Sequence, residues 1–280
     1  MTQLKTHGVR EFQHNADQYD LCVEEIRALG YTVIDSGYSP ERLQTIRTRI
    51  DAIYDQQVRD IGGAENLQRM HDADLARALL AYDDLFLDLA THEDVMAITK
   101  RLLGDVFILM SQNAIINRPT DVHYQVTWHR DLNYQHWVSS RPLAISALYA
   151  IDDFSDLTGG TLLIPASHKV ESFPSDEYAR KHHIGVTAKA GSILLFDAML
   201  FHRSGTNRSN IVRRAVNHIY TLPLIKQQIS FPRMLNGKFG DDPFLRYFLG
   251  YDSETGDSVQ AWREKKLAAA GAVPATAANE

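Results

Sequence analysis

From Val106 onward the chain breaks into eight short β-prone runs, at 106–116, 125–131, 143–151, 161–164, 184–188, 192–196, 200–204 and 212–222. Gly, Pro, Asn and Asp separate them. Strands spaced this closely favour a sandwich or barrel over βαβ units, and eight is the strand count of a double-sheet jelly roll.

The first hundred residues have a different texture, mostly helical. Ser39-Pro40-Glu41 reads as a helix start, with Ser39 as N-cap and Pro40 at the first helical position. Leu43, Ile46, Ile50, Ile53 and Val58 follow at nearly helical spacing, so one face of this helix packs on something. A shorter helical stretch lies between Leu21 and Leu29, and Tyr31-Thr32-Val33-Ile34 after Gly30 reads as a strand. Thr91 and Asp94 have the spacing of a capping box, opening a helix through Val95, Ile98 and Leu102 that stops at Gly104. The expected organisation is a single domain over 1–280. Residues 1–104 form a mostly helical part, 105–222 the β core and 223–266 a C-terminal extension. The small-residue tail 267–280 and the first dozen residues are expected to be disordered.

Composition removes several classes of function. Of 280 residues, 44% are hydrophobic and 23% charged, ordinary values for a globular chain. A formal charge of −6 argues against nucleic acid as the main partner, because phosphate binding needs a basic stripe. Cys22 is the only cysteine, which excludes an intramolecular disulfide and a thiolate zinc site and fits a reducing cytoplasm. The first twenty residues hold no apolar h-region, and no apolar run approaches the roughly 20 residues of a membrane helix. The expectation is a cytoplasmic protein with no membrane partner. Oligomeric state stays open.

The candidate chemistry sits on two of the short strands. In His129-Arg130-Asp131, strand alternation points His129 and Asp131 one way and Arg130 the other. His202 follows an apolar strand and a tight reversal at Asp197-Ala198, so a second short strand delivers a third group. Two imidazoles and one carboxylate, with other coordination positions open, are the ligand set of non-haem Fe(II) oxygenases. Bland alternatives exist: His129 packed or exposed, Asp131 in a salt bridge, His202 merely ending a strand. Arg213 and Arg214 open the last strand, and one of them must face inward. An inward guanidinium calls for an anion, and its planar fork suits a carboxylate; alternatively both snorkel to solvent. Sequence phase does not choose between them.

These residues, in their order and spacing, resemble a known family. Trp128-His129-Arg130-Asp131-Leu132 is followed by Ile151-Asp152-Asp153, then Gly159-Gly160-Thr161 leading into Pro165-Ala166-Ser167-His168-Lys169. Gly191-Ser192-Ile193-Leu194-Leu195-Phe196-Asp197 comes next, then His202-Arg203-Ser204-Gly205-Thr206-Asn207, with Arg213 eleven positions after His202. The segment from Gln112 to Leu222 is thus similar to the phytanoyl-CoA dioxygenase-like family of Fe(II)/2-oxoglutarate oxygenases. The resemblance implies a mainly β fold with flanking helices. Its core would be a double-stranded β-helix (a cupin-like jelly roll), with the N-terminal helices packed on one sheet. It implies Fe(II) held by His129, Asp131 and His202, and the distal carboxylate of 2-oxoglutarate held by Arg213 rather than Arg214. Gln112 and Ser204 fall where some relatives contact the co-substrate, and His168 where the family has a structural histidine. Ala166 stands where relatives usually have glycine, a change confined to a turn. In halogenating relatives a small residue replaces the carboxylate ligand; Asp131 is present, which implies the hydroxylase type.

The implied reaction uses O2 and 2-oxoglutarate to hydroxylate an unactivated C–H of a small-molecule metabolite, releasing succinate and CO2. The same chemistry leading to desaturation or ring formation in a natural-product pathway is the alternative, as is a non-catalytic jelly-roll binding module. A cupin-type dioxygenase would carry H-x-H, which this chain lacks, and a lysine-type oxygenase would place Lys where Val212 stands. His123, His136, His182, His183 and His218 have no place in the ligand set. Asn133, Tyr134 and Trp137 are candidates for the pocket wall. Segments 60–90, 133–142, 170–183 and 223–250 are expected to select the substrate. They hold no Lys/Arg cluster of the kind a CoA phosphate needs.

Overall fold

The computed structural model describes residues 7–8, 17–119, 126–132 and 135–271. Helix α1 (Gln18–Leu29) opens on Asp17, whose carboxylate accepts from the backbone N–H groups of Tyr19 and Asp20. It closes on Gly30, at φ 92°, whose N–H donates to Ile26 O at 2.9 Å. A side chain at Gly30 would also lie 2.6 Å from His168 Nδ1 and from Leu200, so only glycine fits this corner. His168 therefore packs against backbone, in keeping with a structural role. Strand β1 (Tyr31–Asp35) follows directly.

Helix α2 (Pro40–Asp60) starts as its sequence dictates, with Ser39 Oγ accepting from Arg42 N–H. Leu43, Ile46, Ile50 and Ile53 are buried with Tyr54, while Val58 is only half-buried. Short elements then come in succession: α3 (Ala64–Arg69), β2 (Leu75–Arg77), a turn at Leu79–Ala81, and α4 (Leu85–Ala90). Helix α5 (Glu93–Leu103) ends at Gly104 as expected, but the expected capping box at its start is absent. Thr91 instead ends α4, its hydroxyl donating to Leu87 O, and Asp94 accepts from the Tyr19 hydroxyl on α1 at 2.6 Å. A tertiary hydrogen bond has taken over the carboxylate that local spacing assigned to a cap.

The β region comprises β3 (Ile108–Asn117), β4 (Ala144–Ala150), β5 (Thr161–Leu163), β6 (Ile184–Gly185), β7 (Ser192–Asp197), β8 (His202–Ser204) and β9 (Arg213–Thr221), with α6 (Asp176–His182) between β5 and β6. Among the described residues these make a six-stranded sheet, ordered β1-β7-β4-β9-β3-β2, and a three-stranded sheet, β6-β5-β8. All pairings are antiparallel. This is the jelly roll anticipated from strand count, with two differences. Strand β2 was not foreseen, and the run 125–131 forms only an isolated pair, His129 with His202.

The larger sheet has two occupied faces, which is why every residue of β4 is buried. The N-terminal helices cover one face: the Tyr149 hydroxyl donates to Leu89 O at 2.7 Å and the Tyr220 hydroxyl to Ala90 O at 3.0 Å. On the inner face Leu148, Ala150, Leu194, Phe196 and Ala215 pack with Phe154 and Leu163 from the opposite side. The chain divides into two compact units, one reaching to Ile229 and one from Ser230. The second contains α7 (Phe231–Leu235), α8 (Pro243–Phe248) and α9 (Val259–Gly271), with Phe231, Phe248 and Leu249 buried. Residues 267–271, expected in a disordered tail, belong to α9; residues 272–280 and most of the first dozen lie outside the described set. No helix among the described residues is long and apolar enough to cross a membrane.

The reversal between β7 and β8 is held by Asp197, whose N–H donates to Gly30 O and whose Oδ1 accepts from Met199 N–H, both at 2.9 Å. Burial pushes its carboxyl up to about 6, against the Met199 hydrogen bond and the nearby Arg130 charge. Between about pH 4 and pH 6 the native state therefore binds more protons than the unfolded chain, and stability falls as pH rises through that window. Asp197→Asn, which keeps the acceptor, is expected to stabilise the protein by about 2 kcal/mol at pH 7 and by nothing below pH 4. Thermal unfolding of both proteins from pH 4 to 8 checks this; a gap that does not change with pH would show that the buried charge costs nothing.

Candidate metal centre

His129 and His202 face each other as an antiparallel backbone pair, each N–H donating to the other's carbonyl at 3.0 Å. Their rings lie 4.4 Å apart between centroids. Each Nδ1 sits against a carbonyl two residues earlier in its own chain, His129 on Thr127 O at 2.8 Å and His202 on Leu200 O at 3.0 Å. Those acceptors assign the proton to Nδ1 and leave the Nε2 lone pair outward on both rings. Both Nε2 atoms point at one oxygen, Asp131 Oδ1, at 3.9 Å from His129 and 3.5 Å from His202.

The other oxygen of Asp131 is spoken for. Oδ2 accepts from Ser146 Oγ at 2.5 Å and from Asn217 Nδ2 at 3.1 Å, both from the inner face of the large sheet. The carboxylate is thereby turned so that one oxygen remains for the imidazoles. One ligand atom from each of the three residues lies within 4.8 Å of the others. Nitrogen, nitrogen and carboxylate oxygen on one side of a common point suit a divalent transition metal with open positions opposite.

The charges fit that reading. Burial and the neighbouring His202 ring lower the His129 pKa to about 4, so this imidazole is neutral. Burial alone would raise Asp131, but the two histidines and Ser146 outweigh it and hold the carboxylate well below its usual range. Burial opposes protonation of His202, yet Asp131 raises its pKa by charge and hydrogen bonding, so a cation at Nε2 would compete with protons there.

Arg213 and Arg214 separate as strand alternation requires. Arg214 points outward to Asp51, at 2.7 Å, and to Asp152, at 3.3 Å. Arg213 points inward and is 1% exposed. Its Nη2 donates to Gly159 O at 2.6 Å and Ser204 Oγ at 3.2 Å, its guanidinium lies over the Phe154 ring, and its Nε has no partner. No carboxylate among the described residues pairs with it, and burial lowers its pKa to about 10. Ser204 lies two residues from His202 on the same strand face, about 7 Å away. The site thus brings His129, Asp131, His202, Ser204 and Arg213 to one interior.

Gln112 does not join them. It lies on the opposite face of β3, where Oε1 accepts from Leu80 N–H and Nε2 meets Phe86 O and His218 Nε2. Every polar atom of its side chain is used in attaching the sheet to the helical layer, which corrects the expectation that it meets a co-substrate. Its neighbour Asn113 takes the inward place. Residues not anticipated are Ser146 and Asn217, which hold Asp131, and Arg130. The Arg130 guanidinium faces away from the metal ligands, donates to the carbonyls of Met199, Glu171, Ser167 and Val170, and stacks on Phe201 at 3.8 Å.

A cavity of about 530 Å³ opens beside His129 and Asp131. It is lined by residues from β2 and β3, by Leu132, Asn217 and Ile219, and by Ile225, Lys226 and Gln228. Trp137, a candidate for its wall, is instead 57% exposed and does not line it, while Asn133, Tyr134 and His123 lie outside the described residues.

Comparison with known proteins bears on the fold and the family. The family described as phytanoyl-CoA dioxygenase (PhyH) matches residues 26–215. The uncharacterized protein Rv1501 of Mycobacterium tuberculosis (strain ATCC 25618 / H37Rv) is 30% identical over 226 residues, covering 79% of this chain and 82% of that protein. The ectoine dioxygenase of Nocardia farcinica (strain IFM 10152) is 26% identical over 220 residues, with 65% and 72% covered. In structure, EctD from S. alaskensis with bound Fe superposes at a TM-score of 0.62 and 19% identity, covering 76% of this chain and 80% of that one. The non-heme alpha ketoglutarate dependent carbocyclase SnoK from nogalamycin biosynthesis superposes at 0.57 and 18% identity, with 75% and 85% covered. At such identities the structural likeness concerns the fold alone. The family match spans most of the chain, and this protein belongs to the phytanoyl-CoA dioxygenase family.

Proposed function

We propose that the protein is an Fe(II)- and 2-oxoglutarate-dependent dioxygenase that hydroxylates an unactivated C–H of a small-molecule metabolite. The observation that carries this reading is the convergence of two imidazole Nε2 atoms on one free oxygen of Asp131, with both Nδ1 protons engaged by backbone. His129, Asp131 and His202 would hold Fe(II). Arg213 and Ser204 would take the distal carboxylate of 2-oxoglutarate, since a fully buried guanidinium with an idle Nε is costly without an anion. When bound, iron and 2-oxoglutarate supply the oxidation of the C–H by O2, with release of succinate and CO2.

The protein's own share is orientation and exclusion of water. Ser146 and Asn217 fix the carboxylate to offer one oxygen, leaving coordination positions for co-substrate and O2. Phe154, under the Arg213 guanidinium, keeps that end dry and strengthens its grip on an anion. Met110, Leu132 and Ile219 keep the cavity beside the ligands apolar, so a hydrocarbon portion of a substrate can reach the metal.

Three outcomes are expected. His129→Ala or His202→Ala abolishes succinate formation while each variant stays folded by circular dichroism; normal turnover in either variant overturns the assignment. Arg213→Ala raises the 2-oxoglutarate concentration for half-maximal rate at least about tenfold, as expected for a lost charged hydrogen bond. Arg214→Ala instead lowers stability through Asp51 and Asp152 and leaves that concentration unchanged. Ser146→Ala and Asn217→Ala each weaken metal binding about 10- to 100-fold. Titration with Fe(II) under anaerobic conditions measures this, and unchanged affinity in both would show that Asp131 needs no such support.

A further inference from the structure

The strands β2, β3 and β9 lie side by side, and their register sets Arg77 opposite Asn113 and Asn113 opposite Asn217. All three side chains line the cavity that His129 and Asp131 also line. Asn217 touches Asp131. A polar row therefore runs across the sheet from the metal-binding carboxylate to a guanidinium. Two strand spacings of about 4.8 Å put Arg77 on the order of 10 Å from Asn217.

Arg77 is held in place before any ligand arrives. Gln57 on α2 brackets its backbone, accepting from its N–H at 2.9 Å and donating to its carbonyl at 2.7 Å. Asp72 takes Nε and Nη2, leaving Nη1 on the cavity side, where it makes only long approaches, to Gln228 Oε1 at 3.4 Å and to the Asn113 amide oxygen at 3.3 Å. Lys226 lines the same cavity and pairs with no carboxylate among the described residues. Asp131 is the sole carboxylate among the described lining residues, and a metal would neutralise it. Arg130, the remaining charged group there, spends its donors on backbone carbonyls. The cavity thus carries excess positive charge, and its other walls include Leu75, Met110, Ile115, Leu132, Ile219 and Ile225.

We propose that the prime substrate is an organic acid whose carboxylate seats on Arg77 Nη1 and Lys226, with an apolar body running along the cavity to a C–H at the metal. This rests on the metal-centre reading and adds the substrate's chemical class and orientation to it. The planar fork of Arg77, half used by Asp72, offers one directed donor, and Lys226 adds a mobile charge.

Nonanoate, whose extended chain has the required reach, is a suitable probe, with nonanamide as its uncharged match. Both are titrated into Mn(II)-loaded protein with 2-oxoglutarate, and binding and proton relaxation are read by NMR. Nonanoate is expected to bind in the millimolar range or tighter, at least about tenfold more tightly than nonanamide. Its methyl end should relax fastest and its α-methylene slowest. Lys226→Met, at an exposed position, and Arg77→Met should each weaken nonanoate about tenfold and leave nonanamide unchanged. Equal affinities for acid and amide, fastest relaxation at the α-methylene, or no nonanoate binding would each overturn the proposal. Failure of the metal reading shows separately, as absence of the bound Mn(II) signal in electron paramagnetic resonance. The acid-versus-amide affinities can still be compared in metal-free protein by saturation transfer.

Discussion

An ionised carboxylate withdrawn from water costs several kcal/mol unless charge and hydrogen bonds replace the lost solvation. Asp131 is in that position, and the barrel is arranged around its needs. One oxygen is satisfied by Ser146 on β4 and Asn217 on β9, in the six-stranded sheet. The other faces His202 on β8, in the three-stranded sheet, and His129, paired to His202 through backbone. A single side chain thus joins both sheets at the point where they approach, and a divalent cation at that point would add attraction to every group already turned toward it.

Adjacent arginines at the start of β9 meet opposite fates for the same electrostatic reason. Arg214 finds two carboxylates within ion-pair distance at the surface of the sheet, an arrangement that fixes α2 to β9 through Asp51. Arg213 finds a carbonyl, a hydroxyl and an aromatic face, all of which accept or tolerate a cation but none of which neutralises it. Apolar residues of similar size would fill that volume at lower cost. The co-substrate carboxylate proposed above would complete this guanidinium at the inner end of β8.

Much of this was legible in the chain. Two-residue alternation put His129 and Asp131 on one face, the reversal at Asp197 delivered His202, and helical spacing named the buried side of α2 through Ile53. What escaped has physical causes. Gln112 and Asn113 are both polar, so nothing in their chemistry reveals which faces the barrel; the pairing of β3 with β9 decides it, and a register shift between Leu109 and Ser111 breaks any phase carried in from the strand's start. Strand β2 is three residues long and owes its existence to β3 beside it rather than to its own propensity. Ser146 and Asn217 are far from Asp131 in sequence, and small polar residues in strands carry no signal of their eventual partner. The Thr91–Asp94 spacing misled because a cap is a local preference worth about 1 kcal/mol, which a tertiary hydrogen bond such as Tyr19–Asp94 overrides.

The ligand positions also differ in how their rigidity is secured. Asn217 and Arg213 sit on β9, whose alternate residues reach the helical layer, Tyr220 directly at Ala90 O and His218 through Gln112 on β3, so the strand that presents the site is fixed from behind. His129 and Asp131 have no such strand: residues 126–132 make one backbone pair and little regular structure. Here the alternate residue does the anchoring. Arg130, directed away from the site, gathers carbonyls from 167–171 and from Met199, and so ties the ligand-bearing segment both to the Pro-Ala-Ser-His turn and to the reversal that leads into His202. A second strut comes from Arg203, which alternates with His202 and donates to Val126 O while lying over Trp128. Each histidine ligand thus has an outward-facing arginine as its chain neighbour. A lysine, with its donors on one atom, could not span carbonyls spread over two loops, so the planar guanidinium allows an irregular segment to hold its ligands as firmly as a strand would.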